Sequence, residues 1–194
     1  MIATYPYAAE RARFEADAAR HVMTIAHDEG VYRSVRFKAP DTGTYWFDIV
    51  TSPGLLTING DMGCYVFSRL HDMFRFFDEP QINPDYWGEK LLAQSGYKVY
   101  SPELFRQLVT EAFTERAEDL DTAARAALWE QITAHVLSQG EEEHSAREAV
   151  RDFNYGGFEF VDSWEWSLHD FDSRYLWCCH AIRWAVEQYR TAKP

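Results

Sequence analysis

The chemically most suggestive stretch of this 194-residue chain is LWCCH, residues 176–180, in which two adjacent cysteines precede a histidine. Thiolates and imidazole bind zinc, and a cysteine pair can act as a redox couple, but both chemistries use a spacer between the cysteines, as in C-x-x-C. A disulfide between chain neighbours would also be strained. On a helix, where successive residues are rotated by about 100°, the two sulfurs diverge and His180 joins a polar strip with Arg183. We therefore predict that Cys178 and Cys179 are buried, unpaired core side chains that bind no metal, with His180 nearer to solvent.

Two other patterns resemble metal-binding motifs without completing them. His-Asp dipeptides occur at residues 27–28, 71–72 and 169–170, and HD phosphohydrolases bind metal through such pairs on a helical bundle. Here the first pair lies in a predicted hairpin turn, and the third fits a helix start with Asp170 as its cap. The stretch INGDMG resembles the GD motif of calcineurin-like phosphoesterases, yet no D-x-H precedes it and no G-N-H follows, which favours a tight hairpin turn. Since the sequence also has no G-x-S-x-G, P-loop or Rossmann fingerprint, we expect no cofactor and no catalytic nucleophile.

A metal site remains as an alternative, because histidines and carboxylates are interleaved in the part of the chain that is predicted to form a sheet. The side chains concerned are His21, His27, Asp48, Asp61 and His71. If their strands pair suitably, these groups could hold one or two cations and activate water. The spacing does not require this convergence, so we predict no metal ligands and keep a metal-dependent hydrolase as the alternative function.

Charge is distributed unevenly along the chain, whose formal net charge is −12. Residues 1–100 contain 10 Lys/Arg and 13 Asp/Glu, whereas residues 101–172 contain 5 Lys/Arg and 17 Asp/Glu. This balance argues against direct nucleic-acid binding, which needs a basic surface. It fits a surface that attracts the basic site of another protein.

The candidate partner-binding residues lie in this acidic part. They are Glu111, Glu115, Glu118, Asp119, Glu141, Glu142 and Glu143. The first three follow helical spacing and project away from an inner stripe formed by Leu104 and Leu108 or by Phe105 and Val109. Residues 141–143 also fit the solvated first turn of a helix, where carboxylates suit the helix dipole without any binding role. We expect the seven carboxylates to contribute to a negative surface that engages a basic protein site.

Two styles of sequence divide the chain. Between about His21 and Leu70, short runs rich in β-branched and aromatic residues alternate with turn signals such as PDTG, SPG and NGDMG, which is typical of an antiparallel meander. A helix is predicted over residues 5–20, and from residue 71 onward the apolar period becomes helical, with the last helix running from about Asp170 to Tyr189. We predict an α+β fold in which a meander of four or five strands in the N-terminal third packs with a mainly α-helical C-terminal part.

Length and composition suit one soluble domain, with a sheet-rich subregion over residues 1–100 and an acidic helical subregion over residues 101–194. No apolar run approaches the roughly 18–20 residues of a membrane helix, and the N-terminus lacks the order of a signal peptide. Three cysteines are too few for the disulfide framework of a secreted domain. We therefore expect a cytoplasmic protein without a membrane partner.

Three stretches together resemble a family of uncharacterised bacteriophage and prophage proteins. They are YWFDIVTSPGLLTINGDMGCYVFSRLHDMFRFF, INPDYWGEKL and WCCHAIRWAVEQY. The resemblance covers most of the chain from about His21 to Tyr189 and carries no activity and no catalytic residues. It implies a phage accessory protein, a group that includes small acidic anti-CRISPR and anti-restriction proteins, some with DNA-like negative surfaces.

Together, these observations favour a non-catalytic binding protein over an enzyme. In this interpretation, the acidic side of the chain occupies the basic nucleic-acid-binding site of a host nuclease or surveillance complex in the cytoplasm of the host cell. The expected partner is thus a host defence protein or complex, with no direct binding to nucleic acid. The metal-dependent hydrolase is the alternative, and a structural phage component is a third interpretation.

Overall fold

A computed structural model describes residues 7–94 and 96–193 and shows an α+β protein, which confirms the predicted class. The first part contains α1 (Ala8–Ala18), β1 (Val22–Glu29), β2 (Tyr32–Lys38), β3 (Phe47–Ser52), β4 (Leu55–Gly60) and β5 (Gly63–Ser68). The middle part contains the short helices α2 (Met73–Phe76) and α3 (Pro84–Gly88), followed by β6 (Leu91–Gln94) and β7 (Lys98–Tyr100). The remaining elements are α4 (Pro102–Arg116), α5 (Thr122–His135), α6 (Glu143–Asp152), β8 (His169–Phe171) and α7 (Ser173–Ala192).

Strands β1 to β6 form one antiparallel sheet in chain order, while β7 and β8 form a separate two-stranded sheet. Alternation in β3 shows why this region forms a sheet with one covered face. Phe47 and Ile49 are buried, whereas Val50 is 45% exposed on the opposite face. The five strands between His21 and Leu70 agree with the prediction, and β6 adds a sixth strand from outside that region.

Glycines at two hairpin turns are required by the backbone. Gly54, between β3 and β4, has a φ of 79°, which side chains with a Cβ rarely adopt. A Cβ on Gly60 would lie 2.1 Å from the Trp46 carbonyl oxygen, so a side chain cannot be placed there without moving the backbone. The tight turn predicted for INGDMG is present between β4 and β5. The turn predicted at residues 27–28 was wrong, because these residues lie in β1 and pair with β2.

The chain forms two compact units. The sheet unit comprises the described residues up to Tyr97 and from Phe171 onward, and the helical unit comprises Lys98–Asp170. In the sheet unit, side chains of α1 and α7 share one core with the inner face of the six-stranded sheet. Trp177 of α7 shows this packing, since its ring centroid lies 5.1 Å from that of Phe14 in α1 and 5.7 Å from that of Phe47 in β3.

Local sequence signals start α4 and α5 of the helical unit. Ser101 caps α4 and Asp121 caps α5, each through a side-chain oxygen that accepts a backbone N–H, at 3.1 and 2.8 Å. The side of α4 that enters the core carries Phe105, Val109 and Phe113, so the second of the two predicted stripes, Phe105 and Val109, is the inner one. This arrangement turns the opposite side of α4 to solvent.

The predicted start of the last helix differs from the structure. The cap of α7 is Asp172, which accepts the Arg174 N–H at 2.6 Å, and Asp170 instead lies in β8. Helix α6 ends at Asp152, four residues before the glycine pair at residues 156–157. No helix in the described part of the chain is long and apolar enough to span a membrane.

Candidate partner-binding surface

Two of the predicted acidic residues lie on the outer side of α4. Glu111 and Glu115 are exposed, opposite the buried Phe105 and Phe113, as the helical period predicts. The Glu111 carboxylate accepts a hydrogen bond from Gln107 Nε2 at 2.8 Å, one turn earlier on the helix. Both carboxylates are therefore accessible from solvent.

Two further candidates lie beyond the end of this helix. Helix α4 ends at Arg116, and Glu118 and Asp119 are exposed in the turn that leads to α5. Asp121, the cap of α5, is exposed in the same turn. We call Glu115, Glu118, Asp119 and Asp121 the turn patch.

The glutamate run Glu141, Glu142 and Glu143, here called the loop patch, precedes and begins α6. The first two side chains are exposed, but Glu143 is partly buried and accepts a hydrogen bond from Arg147 Nε at 2.9 Å. His169 Nε2 also lies 3.2 Å from the Glu143 carboxylate. Glu143 therefore fits the alternative prediction, that a carboxylate in the first turn of a helix has no binding role. Glu141 and Glu142 remain available to a partner.

Tyr100 fixes the loop patch to the start of α4. Its hydroxyl donates a hydrogen bond to the Gly140 carbonyl oxygen at 2.8 Å. Burial raises the pKa of Tyr100, and the carboxylates of Glu143 and Glu141 raise it further. The tyrosine thus stays a neutral donor that holds the residue before the loop patch.

The two patches are at opposite ends of α4. A Cβ on Gly140 would lie 2.9 Å from the Phe105 ring, so the loop patch follows a residue packed against the first turn of the helix. The turn patch begins at Glu115, and with a rise of 1.5 Å per residue it lies about 15 Å or more along the helix. Six of the seven predicted carboxylates therefore fall into two groups and not one continuous cluster, and Glu111 lies on α4 one turn before the turn patch.

Most of these carboxylates have no ion-pair partner. In the described helical unit, no Lys, Arg or His side chain pairs with Glu115, Glu118, Asp119, Glu141 or Glu142. The unit contains 6 Lys/Arg and 16 Asp/Glu, and two of those cations, Arg147 and Arg151, already contact carboxylates of their own helix. The negative charge of the unit is therefore only weakly compensated.

An apolar groove of about 360 Å³, which the sequence did not predict, borders the turn patch. Its lining includes Leu120 and Tyr155, which are 41% and 43% exposed. Arg116 also lines it, with its guanidinium 6.0 Å from the centroid of the Phe158 ring. The only sequence signal for this groove is an isolated leucine between two aspartates, because the groove depends on how residues 155–158 pack beside α5.

The LWCCH segment is a core segment of α7. Cys178 and Cys179 are buried, 1% and 0% exposed, and neither forms a disulfide, as predicted. Burial raises the pKa of both thiols well above the ordinary value, so they are poor nucleophiles. The prediction for His180 was wrong: the side chain is only 5% exposed, and burial lowers its pKa to about 4, with Arg11 and Arg183 acting in the same direction.

Three of the five side chains of the alternative metal site, His21, Asp48 and Asp61, have other contacts. His21 Nε2 lies 2.9 Å from the Tyr45 carbonyl oxygen, and Asp61 accepts the Tyr45 N–H at 2.6 Å. Asp48 accepts two hydrogen bonds from Arg36, each at 2.7 Å. Across residues 7–94 and 96–193, no group of three or more His, Cys, Asp or Glu side chains could hold a metal ion.

A scan of protein-family models and searches of curated proteins and of solved structures each found no match to this chain. The resemblance to bacteriophage proteins therefore stays a prediction, and function has to be argued from geometry and charge.

Proposed function

We propose that this protein binds, through the turn patch of its helical unit, a basic site on another protein that otherwise holds nucleic acid, and inhibits that protein by occupying the site. The observation that supports this proposal most directly is the set of exposed, unpaired carboxylates on the helical unit. Such binding needs no catalytic group, because carboxylates alone attract guanidinium and ammonium groups.

Charge segregation supports the same conclusion. The helical unit has a formal charge of −10, from 6 Lys/Arg and 16 Asp/Glu, whereas the sheet unit has −2, from 13 Lys/Arg and 15 Asp/Glu. A field of one sign on one part of a molecule accelerates encounter with a surface of the opposite sign. The helical unit is thus the part that a basic partner approaches first.

The apolar groove beside the turn patch provides apolar contact area that can add to the affinity for a partner. Exposed charges mainly raise association rates, while buried apolar and aromatic side chains near the centre of an interface contribute most of the affinity. Leu120 and Tyr155 lie at this position, next to the carboxylates of the turn patch. The matching partner site has basic side chains around an apolar one.

The nature of the partner follows from the resemblance to bacteriophage accessory proteins. It supports a host defence protein or complex of the CRISPR or restriction type, met in the cytoplasm of the host cell. This part of the proposal depends on the resemblance, whereas the basic binding site depends on the charge and exposure of the helical unit.

Paired charge reversals test the proposal. Tagged wild-type protein, the variant Glu115→Lys with Glu118→Lys, and the control Glu10→Lys with Glu29→Lys are each used to capture proteins from a host lysate that expresses its defence systems. The two variants change net charge equally, but only the first alters the turn patch. We expect a partner on the wild type and the control that is lost from the turn-patch variant and is released by duplex DNA. Equal capture by all three proteins, or a partner that DNA does not displace, would contradict the proposal.

A further inference from the structure

A cleft of about 710 Å³ opens in the sheet unit beside the loop that joins α2 to α3. This volume lies within the roughly 300–1,000 Å³ that is usual for small-molecule sites. All residues that line it belong to the sheet unit, and none belongs to the turn patch or the loop patch. The cleft is therefore independent of the proposed partner-binding surface.

Two arginines without ion-pair partners line this cleft. In the described part of the sheet unit, seven of ten arginines pair with a carboxylate, and the other three are Arg69, Arg75 and Arg174. Arg69 and Arg75 are both exposed and both line the cleft. A planar guanidinium binds phosphate oxygens through paired N–H donors, so two unpaired ones in a cleft suit a phosphate group.

Part of the lining of the cleft is aromatic. Phe76 and Trp87 are buried, and Phe76 lies 5.7 Å from Tyr86, measured between ring centroids. Tyr86 is 39% exposed, so its ring is accessible to a flat ligand group. Lys90 Nζ lies over the same ring, 4.4 Å from its centroid, and pairs with the Glu89 carboxylate at 2.9 Å, so it adds no uncompensated charge to the cleft.

The rim carries groups that match the polar edge of a heterocyclic ring. Gln81 has an amide donor and an amide acceptor, and Asn83, whose Oδ1 accepts the Tyr86 N–H at 3.2 Å, retains its amide N–H donors. The carboxylates of Glu79 and Asp85 also line the cleft. Both repel a bare anion, and the exposed Glu79 carboxylate accepts hydrogen bonds from amino groups, which favours a ligand that joins an anion to a ring with N–H donors.

We propose that this cleft binds a nucleoside phosphate. The phosphate lies on Arg69 and Arg75, the base lies against Tyr86, and the edge of the base meets the amides of Gln81 and Asn83. No covalent step is involved, and the site is one of binding alone.

Titration with three probes tests this assignment on the full chain. Adenosine monophosphate, adenosine and inorganic phosphate are each added while binding is measured by calorimetry, with the intrinsic fluorescence of the seven tryptophans, among them Trp87 of the cleft, as the second measurement. We expect adenosine monophosphate to bind at least about tenfold more tightly than either of its parts, because only the whole ligand uses both the arginines and the ring.

Matched variants locate the site. Arg69→Gln with Arg75→Gln should weaken adenosine monophosphate binding by about tenfold or more and leave adenosine binding nearly unchanged. Arg174 is the third unpaired arginine and lies outside the cleft, so Arg174→Gln should bind adenosine monophosphate like the wild type. Tyr86→Leu should weaken both nucleoside ligands without affecting inorganic phosphate.

Three outcomes would overturn the assignment. If adenosine monophosphate shows no saturable binding, it is excluded as a ligand. If the double arginine variant binds it with unchanged affinity, the cleft is excluded as the binding site. Inorganic phosphate binding as tightly as adenosine monophosphate removes the nucleoside part. Circular dichroism confirms that the variants are folded, which is expected because the replaced arginines are exposed and make no ion pair.

Discussion

The burial of His180 results from a neighbouring helix. Phe14 of α1 stacks on the imidazole ring, with ring centroids 6.4 Å apart and the ring planes 19° apart. The helical period places His180 correctly relative to its neighbours on α7, but it contains no information about which other element covers that side. The polar strip that was predicted to face solvent is therefore partly covered by α1.

This burial predicts a specific dependence of stability on pH. The folded-state pKa of His180 is about 4, below the ordinary value of 6.5, so between these values the unfolded chain binds a proton that the folded protein does not. The contribution of His180 is complete above about pH 6.5 and is lost as the pH falls toward 4. Arg11 and Arg183 favour the neutral ring and Glu15 opposes them. We expect a loss of about 3 kcal/mol in the free energy of unfolding over this range.

Chemical denaturation of three proteins measures this effect. His180→Gln should lose the part of the pH dependence that the wild type shows between about pH 6.5 and pH 4. His144→Gln replaces a histidine whose side chain is 84% exposed and should behave like the wild type. The same pH dependence in His180→Gln and in the wild type would show that another group is responsible.

At the scale of elements, the C-terminal end of α7 is joined to the sheet by a small group of polar side chains. The Tyr189 hydroxyl donates a hydrogen bond to Asp28 of β1 at 2.6 Å, and Lys193 forms an ion pair with the same carboxylate. Arg33 of β2 lies 5.5 Å from the centroid of the Tyr189 ring and pairs with Asp72 at 2.8 Å. These contacts join the last turn of the chain to two strands and to α2.

Removal of one hydroxyl tests this connection. Tyr189→Phe keeps the ring and deletes the donor to Asp28, so it should lower the free energy of unfolding by about 1 kcal/mol. Tyr32→Phe, at a tyrosine that is 51% exposed, is the control and should have almost no effect. In the Asp28→Asn background the effect of Tyr189→Phe should become smaller, because the charged acceptor is already gone. An undiminished effect in that background would exclude the hydrogen bond as its cause.

Elements with a strong local signal were predictable. The strands β1 to β5 could be predicted because buried and exposed side chains alternate between turn residues, and α4 because Ser101 and Pro102 start a helix with apolar residues on one side. Strand β6 was missed because it is four residues long and Leu92 is 67% exposed, so it has neither a long period nor a covered face. Its place is decided by pairing with β5, which is a tertiary contact.

The candidate surface was predictable only where a single helix determines the exposure of a side chain. Exposure of Glu111 and Glu115 follows from their position opposite Phe105 and Phe113 on one helix. The separation into a turn patch and a loop patch does not follow from sequence, since it depends on Gly140 packing against Phe105. The groove beside Leu120 and the cleft beside Arg69 likewise depend on loops that only the folded chain brings next to helices.

At the scale of the whole molecule, charge acts on stability as well as on binding. The helical unit has −10 formal charges and few ion pairs, so its carboxylates repel one another in the folded state more than in the expanded unfolded chain. Salt screens this repulsion, with a Debye length that falls from about 30 Å at 0.01 M to about 3 Å at 1 M. The protein should therefore become more stable as ionic strength rises.

The charge-reversal variants test this explanation, since they change the repulsion in one unit at a time. Glu115→Lys with Glu118→Lys should raise the melting temperature at low salt by a few degrees, which corresponds to on the order of 1 kcal/mol or less in the free energy of unfolding. The further rise in melting temperature when sodium chloride is added should be smaller than in the wild type. The control, Glu10→Lys with Glu29→Lys, alters the nearly neutral sheet unit and should retain the salt dependence of the wild type. An equal gain with salt in all three proteins would mean that salt acts through general solvation, and self-repulsion in the helical unit would no longer explain it.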